Sequence, residues 1–265
     1  EDAAKKQMKQ VQQNFNNHWG IYRNQTSNWL RQDPWQDENH QVIPNFIQQI
    51  AERQPFYKAL LARFPNNPDS VNYYYKEWKH PVKVFDYDKG TITKEMTSED
   101  SIKYMTTFMH CAFVAMEPQT GAVKAWVGDI DFNSWKYDKV TAMRQPGSTF
   151  KLFVYTEAMN QGLTPCDKRR DEYISMQVYD KKQHKEVTWT PRNANGSFSG
   201  DSIPLKSAFA KSINSVAVRL GQEMGIKRII ETAKKMGITS PLDDEPSLAL
   251  GSSDVTLLQM VNAYC

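Results

Sequence analysis

The chain has 265 residues, of which 40% are hydrophobic, 24% charged and 12% aromatic, and its net charge is +3 at pH 7. This length and composition are typical of a globular protein with one large core, or a core and a smaller module. Since the charge is small and both signs are interspersed, the sequence does not favour nucleic-acid binding. No apolar run approaches the ~18 residues that a membrane-spanning helix requires.

The cysteines and histidines indicate no metal site and no cofactor. The three cysteines, Cys111, Cys166 and Cys265, lie far apart and show no metal-ligand spacing, and their odd number excludes complete pairing within one chain. The five histidines are isolated, and no HExxH pattern occurs. We therefore expect chemistry that depends on side chains alone.

Residues 1–80 differ from the rest because they are rich in Gln, Asn and Trp. Apolar residues recur at three- and four-residue spacing, which predicts helices, and the prolines and asparagines of 65–69 predict a turn that ends the helical stretch. With no catalytic constellation here, we expect a packing or linker role. The residues that carry the helical spacing are Met8, Val11 and Phe15, then Ile43, Phe46, Ile47 and Ile50.

Residues 82–128 alternate between strand and helix signals. A hairpin is predicted at 82–93 around Asp88-Lys89-Gly90, and a helix after Thr97, whose hydroxyl is followed by acidic residues. Two strands, 112–116 and 122–128, are joined by a Pro- and Gly-containing turn. Because both strands are nearly continuous apolar runs, we expect this second hairpin to be covered on both faces.

From residue 148 onwards the pattern predicts mainly helices. The segment 148–161 is apolar almost all round and stops at Gly162, which is typical of a buried central helix. Asn195-Gly196 marks a turn in a polar stretch. Four further helices are predicted at 205–211, 215–224, 227–236 and 255–263.

The sharpest chemical signal is Ser148 followed by Lys151, in the run Arg-Gln-Pro-Gly-Ser-Thr-Phe-Lys at 144–151. A Ser and a Lys three apart share one helical face, so the amine can take the hydroxyl proton while the oxygen attacks a carbonyl carbon. Such a pair arises by chance in many chains, but this Ser-x-x-Lys is the only one here. It also places a lysine in a buried helix, where a charge is costly unless it has a purpose.

A second signal is Ser212-Ile213-Asn214, between two predicted helices. A hydroxyl and an amide two residues apart on a short loop can face one cleft, where they relay a proton and bind a peptide carbonyl. For Ser212 alone, a helix cap is an equally good interpretation. Ser70-Val71-Asn72 has the same spacing, but no helix-opening Ser-Lys pair precedes it.

Taken together, these motifs resemble the transpeptidase domain of class A, bifunctional penicillin-binding proteins, the enzymes of bacterial cell-wall synthesis. The resemblance covers about residues 82–265, and the first eighty residues resemble, less specifically, the segment that joins the glycosyltransferase and transpeptidase domains. We therefore expect a helical pre-transpeptidase region at 1–80 and the N-terminal part of the transpeptidase domain at 81–265. The matching segments, in order, are 113–128, 144–151, 189–193, 210–215 and 248–256.

This resemblance implies an α+β fold of the penicillin-binding and β-lactamase-like type, an antiparallel sheet with helices. It implies a serine acyltransferase that acts on the D-alanyl-D-alanine end of peptidoglycan stem peptides. Ser148 would attack, Lys151 would be the base, Ser212 would pass the proton to the leaving D-alanine, and Asn214 would hold the substrate amide. β-Lactams would acylate Ser148, and the parent protein would be membrane-anchored, with a glycosyltransferase domain, on the extracytoplasmic side of the bacterial inner membrane.

The family's third motif, Lys-Thr-Gly or Lys-Ser-Gly, does not occur in this sequence after Asn214. We therefore expect a fragment of a longer parent, with a fold that is incomplete at its C-terminus. To act as a base at neutral pH, Lys151 needs a pKa about three units below its reference value, through burial and a second cation that the third motif would supply. The 265-residue chain is accordingly predicted to react with penicillin slowly or not at all.

Two other classes of function remain open. A serine β-lactamase shares the Ser-Lys and Ser-x-Asn features, but the class A type deacylates with a Glu from a Glu-x-x-x-Asn loop, and that spacing does not occur here. A non-enzymatic β-lactam sensor or cell-wall interaction module would use the Gln-, Asn- and Trp-rich first eighty residues for binding.

Overall fold

The computed structural model describes residues 2–19, 34–37, 41–180 and 184–265. The chain forms two compact units. Unit 1 comprises residues 1–112 and 127–138, and unit 2 comprises residues 113–126 and 139–265. No helix in the described ranges is both long and apolar enough to cross a lipid bilayer.

Unit 1 begins with helices, which confirms the prediction from apolar spacing. The turn at 65–69 does not end the helical stretch, because the Asn67 carboxamide accepts a hydrogen bond from the Ser70 N–H (3.0 Å) and Pro68 opens a new helix. The helices are α1 (Asp2–Trp19), α2 (Phe46–Arg53), α3 (Pro55–Arg63) and α4 (Pro68–Asn72), followed by a π-helix at Tyr73–Glu77.

The predicted hairpin of unit 1 is confirmed as β1 (His80–Asp86) and β2 (Gly90–Met96), paired antiparallel. Its turn is closed by the Asp86 carboxylate, which accepts hydrogen bonds from the backbone N–H groups of Asp88 at 2.9 Å and Lys89 at 3.0 Å. The predicted helix follows as α5 (Ser98–Thr106), and the Thr97 hydroxyl caps it by accepting from the Asp100 N–H at 3.0 Å.

The main core of unit 1 joins the N-terminal helix to this hairpin. Met8 of α1 and Phe85 of β1 are buried in one cluster with Phe108 and Ile130, and the Trp135 ring packs on Phe85 and Phe108. The domain boundary predicted at residue 80 stays a prediction, and β1, β2 and α5 lie in the same compact unit as the helices before them. Shared burial of aromatic side chains is the physical reason for that grouping.

The helices of unit 2 surround a central buried one, as predicted. A 3₁₀-helix at Gly147–Phe150 runs directly into α6 (Lys151–Asn160), whose Phe153, Val154 and Ala158 have no exposed surface. The surrounding helices are α7 (Leu205–Ala210), α8 (Asn214–Met224), α9 (Ile226–Lys235), a 3₁₀-helix at Pro246–Leu250 and α10 (Leu257–Tyr264).

The second predicted hairpin is confirmed as β3 (Phe113–Met116) and β4 (Val123–Val127), but the expected cover on both faces is wrong. Phe113 is 53% exposed, Val123 44% and Trp126 43%. Within the described residues, β3 and β4 pair only with each other, while α10 packs against β3. The apolar runs therefore predicted the two strands correctly, but they did not predict how much of each strand is exposed.

In the part of unit 2 that the structure describes, six further strands were not predicted from the sequence, which favoured mainly helices after residue 148 and no strand at 143–144. Three pairs form, all antiparallel, and most of their members are only two or three residues long, too short to show a period of two. They are β5 (Met143–Arg144) with β10 (Val255–Thr256), β6 (Lys168–Arg170) with β9 (Ser202–Pro204), and β7 (Met176–Asp180) with β8 (Lys185–Trp189).

Candidate active site

Ser148 lies in the 3₁₀-helix that precedes α6, and Lys151 is the first residue of α6 itself. In a 3₁₀ turn the side chains at i and i+3 eclipse each other, so this geometry aligns Ser148 with Lys151 more closely than an α-helical turn. Ser148 is exposed, whereas Lys151 is only 1% exposed. The pair therefore combines an accessible hydroxyl with a buried amine.

The amine of Lys151 is held by the segment that contains Ser212 and Asn214. It donates hydrogen bonds to the Ser212 carbonyl oxygen at 2.8 Å, to the Ser212 Oγ at 3.0 Å and to the Asn214 Oδ1 at 2.6 Å. A protonated lysine has three N–H donors, and these three acceptors use all of them. The structure thus brings three of the four predicted site residues into direct contact, with Ser148 one turn before Lys151.

Burial changes the acid–base behaviour of this lysine. Desolvation lowers the pKa of Lys151 from 10.5 to about 8, because the charged form loses its hydration. About a tenth of the amine is then neutral at pH 7, against less than a thousandth for an exposed lysine. Once neutral, the nitrogen has a lone pair that can accept a proton.

Ser212 ends α7 and contacts Lys151 at the same time. Its φ is +54°, a left-handed conformation that is uncommon for a residue with a side chain. The Ser212 N–H donates to the Phe209 carbonyl and the Ile213 N–H to the Ala208 carbonyl, the hydrogen-bond pattern of a Schellman helix end, in which glycine is usual. Both interpretations of Ser212, helix terminator and site residue, therefore describe the same geometry.

Asn214 begins α8 and is held at both ends of its side chain. Its Nδ2 donates to the Arg192 carbonyl oxygen at 2.8 Å, and its Oδ1 accepts from Lys151. Its backbone N–H donates to the Asn193 Oδ1 at 3.0 Å. The segment 189–193, which carries part of the family resemblance, therefore supports Asn214, a role that the sequence pattern did not predict.

Gly251 also has a structural role that the sequence did not predict, since its backbone contacts the turn before Ser148. The Gly147 N–H donates to the Gly251 carbonyl oxygen at 3.3 Å, and a Cβ added to Gly251 would lie 2.2 Å from the Gly147 oxygen. Gly251 also has a φ of +76°, which side chains rarely adopt. The segment 248–256 therefore supports the turn before Ser148, and glycine allows the two backbones to approach each other.

In the ranges that the structure describes, no group of three or more His, Cys, Asp or Glu side chains is arranged to hold a metal ion. The arrangement offers instead an exposed hydroxyl, an amine of lowered pKa and a second hydroxyl in contact with that amine. These groups suit nucleophilic attack on a carbonyl carbon followed by transfer of the proton.

Comparison with known proteins identifies the family of this chain. The model of the penicillin binding protein transpeptidase domain matches residues 111–264, and that of the penicillin-binding protein middle domain matches residues 30–109. Penicillin-binding protein 2D of Bacillus subtilis (strain 168) is 39% identical over 153 residues, which are 57% of this chain and 22% of that protein. Penicillin-binding protein 1A of Rickettsia felis is 37% identical over 154 residues, 58% of this chain and 19% of that protein. The chain therefore spans about a fifth of the length of these relatives.

The crystal structure of penicillin-binding protein 1A from Haemophilus influenzae matches with a TM-score of 0.55 at 21% sequence identity, over 98% of this chain and 40% of that one. This likeness concerns the fold, and it confirms the predicted α+β class. The predicted family is confirmed by the domain model and by the sequence relatives. Because the transpeptidase model covers more than half of its residues, the chain belongs to the penicillin-binding protein transpeptidase domain family.

Proposed function

We propose that this chain carries the acyl-transfer site of a peptidoglycan D,D-transpeptidase, with Ser148 as the nucleophile. The observation that carries the proposal is the buried Lys151 amine, one turn after an exposed serine and hydrogen-bonded to both Ser212 and Asn214. A buried lysine of lowered pKa is costly to maintain for stability alone, and it is what activation of a serine hydroxyl requires.

In the first half of the proposed reaction, the Ser148 Oγ attacks the carbonyl carbon of the penultimate D-alanine of a stem peptide. The hydroxyl proton passes to the neutral Lys151 amine, and a tetrahedral intermediate forms. When the C–N bond to the terminal D-alanine breaks, the leaving nitrogen takes a proton from the Ser212 hydroxyl, which regains one from Lys151 at 3.0 Å. The products are a serine ester and free D-alanine.

In the second half, an amine of a neighbouring stem peptide attacks the ester carbonyl and loses one proton to Lys151. The ester C–O bond breaks, the Ser148 oxygen recovers the proton, and a peptide cross-link remains. Water in place of the amine gives a carboxypeptidase. We assign the second N–H of the Asn214 amide to the substrate carbonyl, since its first N–H is bonded to Arg192.

The partners follow from the same proposal. Stem peptides are the substrates, and β-lactams acylate Ser148 when their ring C–N bond opens, with no cofactor and no nucleic acid involved. The two relatives reported above are both named penicillin-binding proteins, and this supports the assignment. We also propose a membrane-anchored parent with a glycosyltransferase domain that works on the extracytoplasmic face of the bacterial inner membrane.

The slow reaction of residues 1–265 alone with penicillin stays a prediction.

The test is covalent labelling of the full-length parent protein that contains residues 1–265, called the intact protein below, with a fluorescent penicillin. The labelled peptide is then mapped by mass spectrometry. Wild type should carry one label on Ser148, Ser148→Ala should carry none, and the exposed Ser175→Ala should match wild type. A label that survives in Ser148→Ala refutes the proposed nucleophile. Cross-linking of a stem-peptide substrate then separates a transpeptidase from a sensor, and rapid turnover of a chromogenic cephalosporin would identify a β-lactamase instead.

A further inference from the structure

A buried carboxylate lies behind the Ser212–Asn214 segment. Asp171 is only 5% exposed, and its Oδ1 accepts hydrogen bonds from the Ser215 hydroxyl at 2.6 Å and the Asn193 Nδ2 at 2.7 Å, while its Oδ2 accepts from the Ser199 N–H at 2.9 Å. Burial would raise the pKa of Asp171, but these hydrogen bonds outweigh it and hold the pKa below its ordinary value. The carboxylate is therefore ionised, and neutral donors hold it.

The carboxylate determines which way the Asn193 amide points. Because the Asn193 Nδ2 donates to Asp171 and to the Ser197 carbonyl oxygen at 3.0 Å, its Oδ1 faces the start of α8. There it accepts from the N–H groups of Asn214 at 3.0 Å and Ser215 at 3.1 Å. The residue that precedes α8, Ile213, has no side-chain acceptor, so Asn193 caps the helix from 21 residues away.

The same arrangement determines which way the Asn214 amide points. Its backbone is held by Asn193, and its Nδ2 is held by the carbonyl of the adjacent Arg192, so its Oδ1 is presented to the Lys151 amine at 2.6 Å. We infer that Asp171 and Asn193 are positioning residues of the acyl-transfer site, which orient Asn214 so that it holds Lys151 in place. This inference rests on the proposed function, since it assigns the two residues to the acylation step.

The substitution Asp171→Asn tests the chain of contacts with almost no change of shape. Asp171 receives hydrogen-bond donors on both carboxylate oxygens, so the NH₂ group of the new amide faces another donor whichever way it is turned. In the Oδ1 position it faces the Asn193 Nδ2, and in the Oδ2 position it faces the Ser199 N–H. The clash with Asn193 disappears if the Asn193 amide rotates by 180°, so that its Oδ1 accepts from the new amide. Its NH₂ group then faces the N–H groups at the start of α8, and the hydrogen bond that holds the Asn214 backbone is lost. Misplacement of a catalytic group by about 1 Å costs on the order of 10²-fold in rate, so we expect an acylation rate constant lower by roughly that factor.

A positioning role predicts which kinetic constant changes. In stopped-flow acylation of the intact protein by penicillin, the rate constant of the covalent step should fall in Asp171→Asn and Asn193→Ala, while the dissociation constant of the non-covalent complex stays within about threefold. Asp201→Asn, an exposed carboxylate in the same stretch, is the matched control and should match wild type. If Asp171→Asn does not fold, Asn193→Ala decides the result, since it removes the cap and leaves the charge in place.

Exchange of the two side chains supplies the rescue. In the double variant Asp171→Asn with Asn193→Asp, the amide at 171 donates to the carboxylate at 193, and the other carboxylate oxygen can again cap α8. The bond to the Ser197 carbonyl is lost, so we expect recovery of at least tenfold over Asp171→Asn, and not full wild-type acylation. A double variant as slow as the single one overturns the proposal.

Failure of this inference is distinguishable from failure of the proposed function. If the wild-type full-length parent is not acylated by penicillin, the proposed function fails. If wild type is acylated and both Asp171→Asn and Asn193→Ala react at the wild-type rate, the function stands and the positioning role is refuted. A change confined to the dissociation constant, with the rate constant of the covalent step unchanged, would likewise contradict positioning of Lys151.

Discussion

Two segments of this chain have the same Ser-x-Asn spacing and differ in everything else. Ser70 and Asn72 lie inside the short helix α4, with right-handed backbone, and Asn72 is exposed. Ser212 and Asn214 flank the break between α7 and α8, where Ser212 is left-handed and both side chains contact a buried lysine. The difference shows that a motif of spacing becomes a site only where the backbone turns both groups towards one partner.

The physical reason is that residues two apart in a helix point about 200° apart, so they cannot face one group. A left-handed residue between two helices removes this restriction, since it ends the first helix and turns the chain away from the helical path. The cost of the left-handed conformation, about 1–3 kcal/mol, is consistent with a functional segment. Three predictions test this comparison, in order of expected effect.

Removal of the shared partner should give the largest effect. Lys151→Met keeps the length and burial of the side chain but removes the proton acceptor, so penicillin acylation of the intact protein should fall by about 10²–10⁴-fold. Lys211→Met, at an exposed lysine beside Ser212, is the matched control and should stay within about twofold of wild type. Equal rates for both variants would mean that Lys151 is not the base. Labelling rates measured by gel fluorescence decide between these outcomes.

Truncation of the two asparagines should separate the two segments. Asn214→Ala removes an acceptor of a hydrogen bond from a charged amine, a contact worth about 1.5–3 kcal/mol, so acylation should slow by roughly 10- to 100-fold. Asn72→Ala is an exposed surface change and should alter neither acylation nor the free energy of unfolding by more than about 0.5 kcal/mol. Acylation rates are measured in the same labelling assay, and denaturant unfolding gives the free energy of unfolding of each variant. If Asn72→Ala slows acylation as much as Asn214→Ala, the proposed difference between the two segments is wrong.

The pH dependence of acylation should give the smallest effect. Burial lowers the pKa of Lys151 to about 8. The fraction of the amine that is neutral therefore increases as the pH rises towards 8 and approaches a constant value above it. The rate should therefore increase about fivefold from pH 7 to pH 8 and change little above about pH 9. An exposed lysine as base would instead give a rate that still rises beyond pH 10. A profile flat from pH 6 to pH 9 would contradict a titrating lysine in the reaction.

Some elements of the fold could be predicted from the sequence and others could not. The helix at 148–161, the hairpin at 82–93 and the Thr97 cap were predicted because periodicity and capping are local properties. The exposure of Phe113, Val123 and Trp126 was not, because an apolar run does not reveal whether another element covers it. The strand pair formed by 143–144 and 255–256 escaped prediction for a similar reason, as its partners lie more than a hundred residues apart.

The sequence by itself determined the family, the Ser148–Lys151 pair and the helical region around it, because a helix places residues three apart on one face wherever it forms. Only the tertiary structure decided which groups the Lys151 amine meets, since Ser212 and Asn214 lie 61 and 63 residues further along the chain. The same holds for the approach of Gly251 to Gly147 and for the contact of Asp171 with Asn193. Hydrogen bonds and close contacts of this kind depend on how the elements pack, and packing is a property of the whole unit.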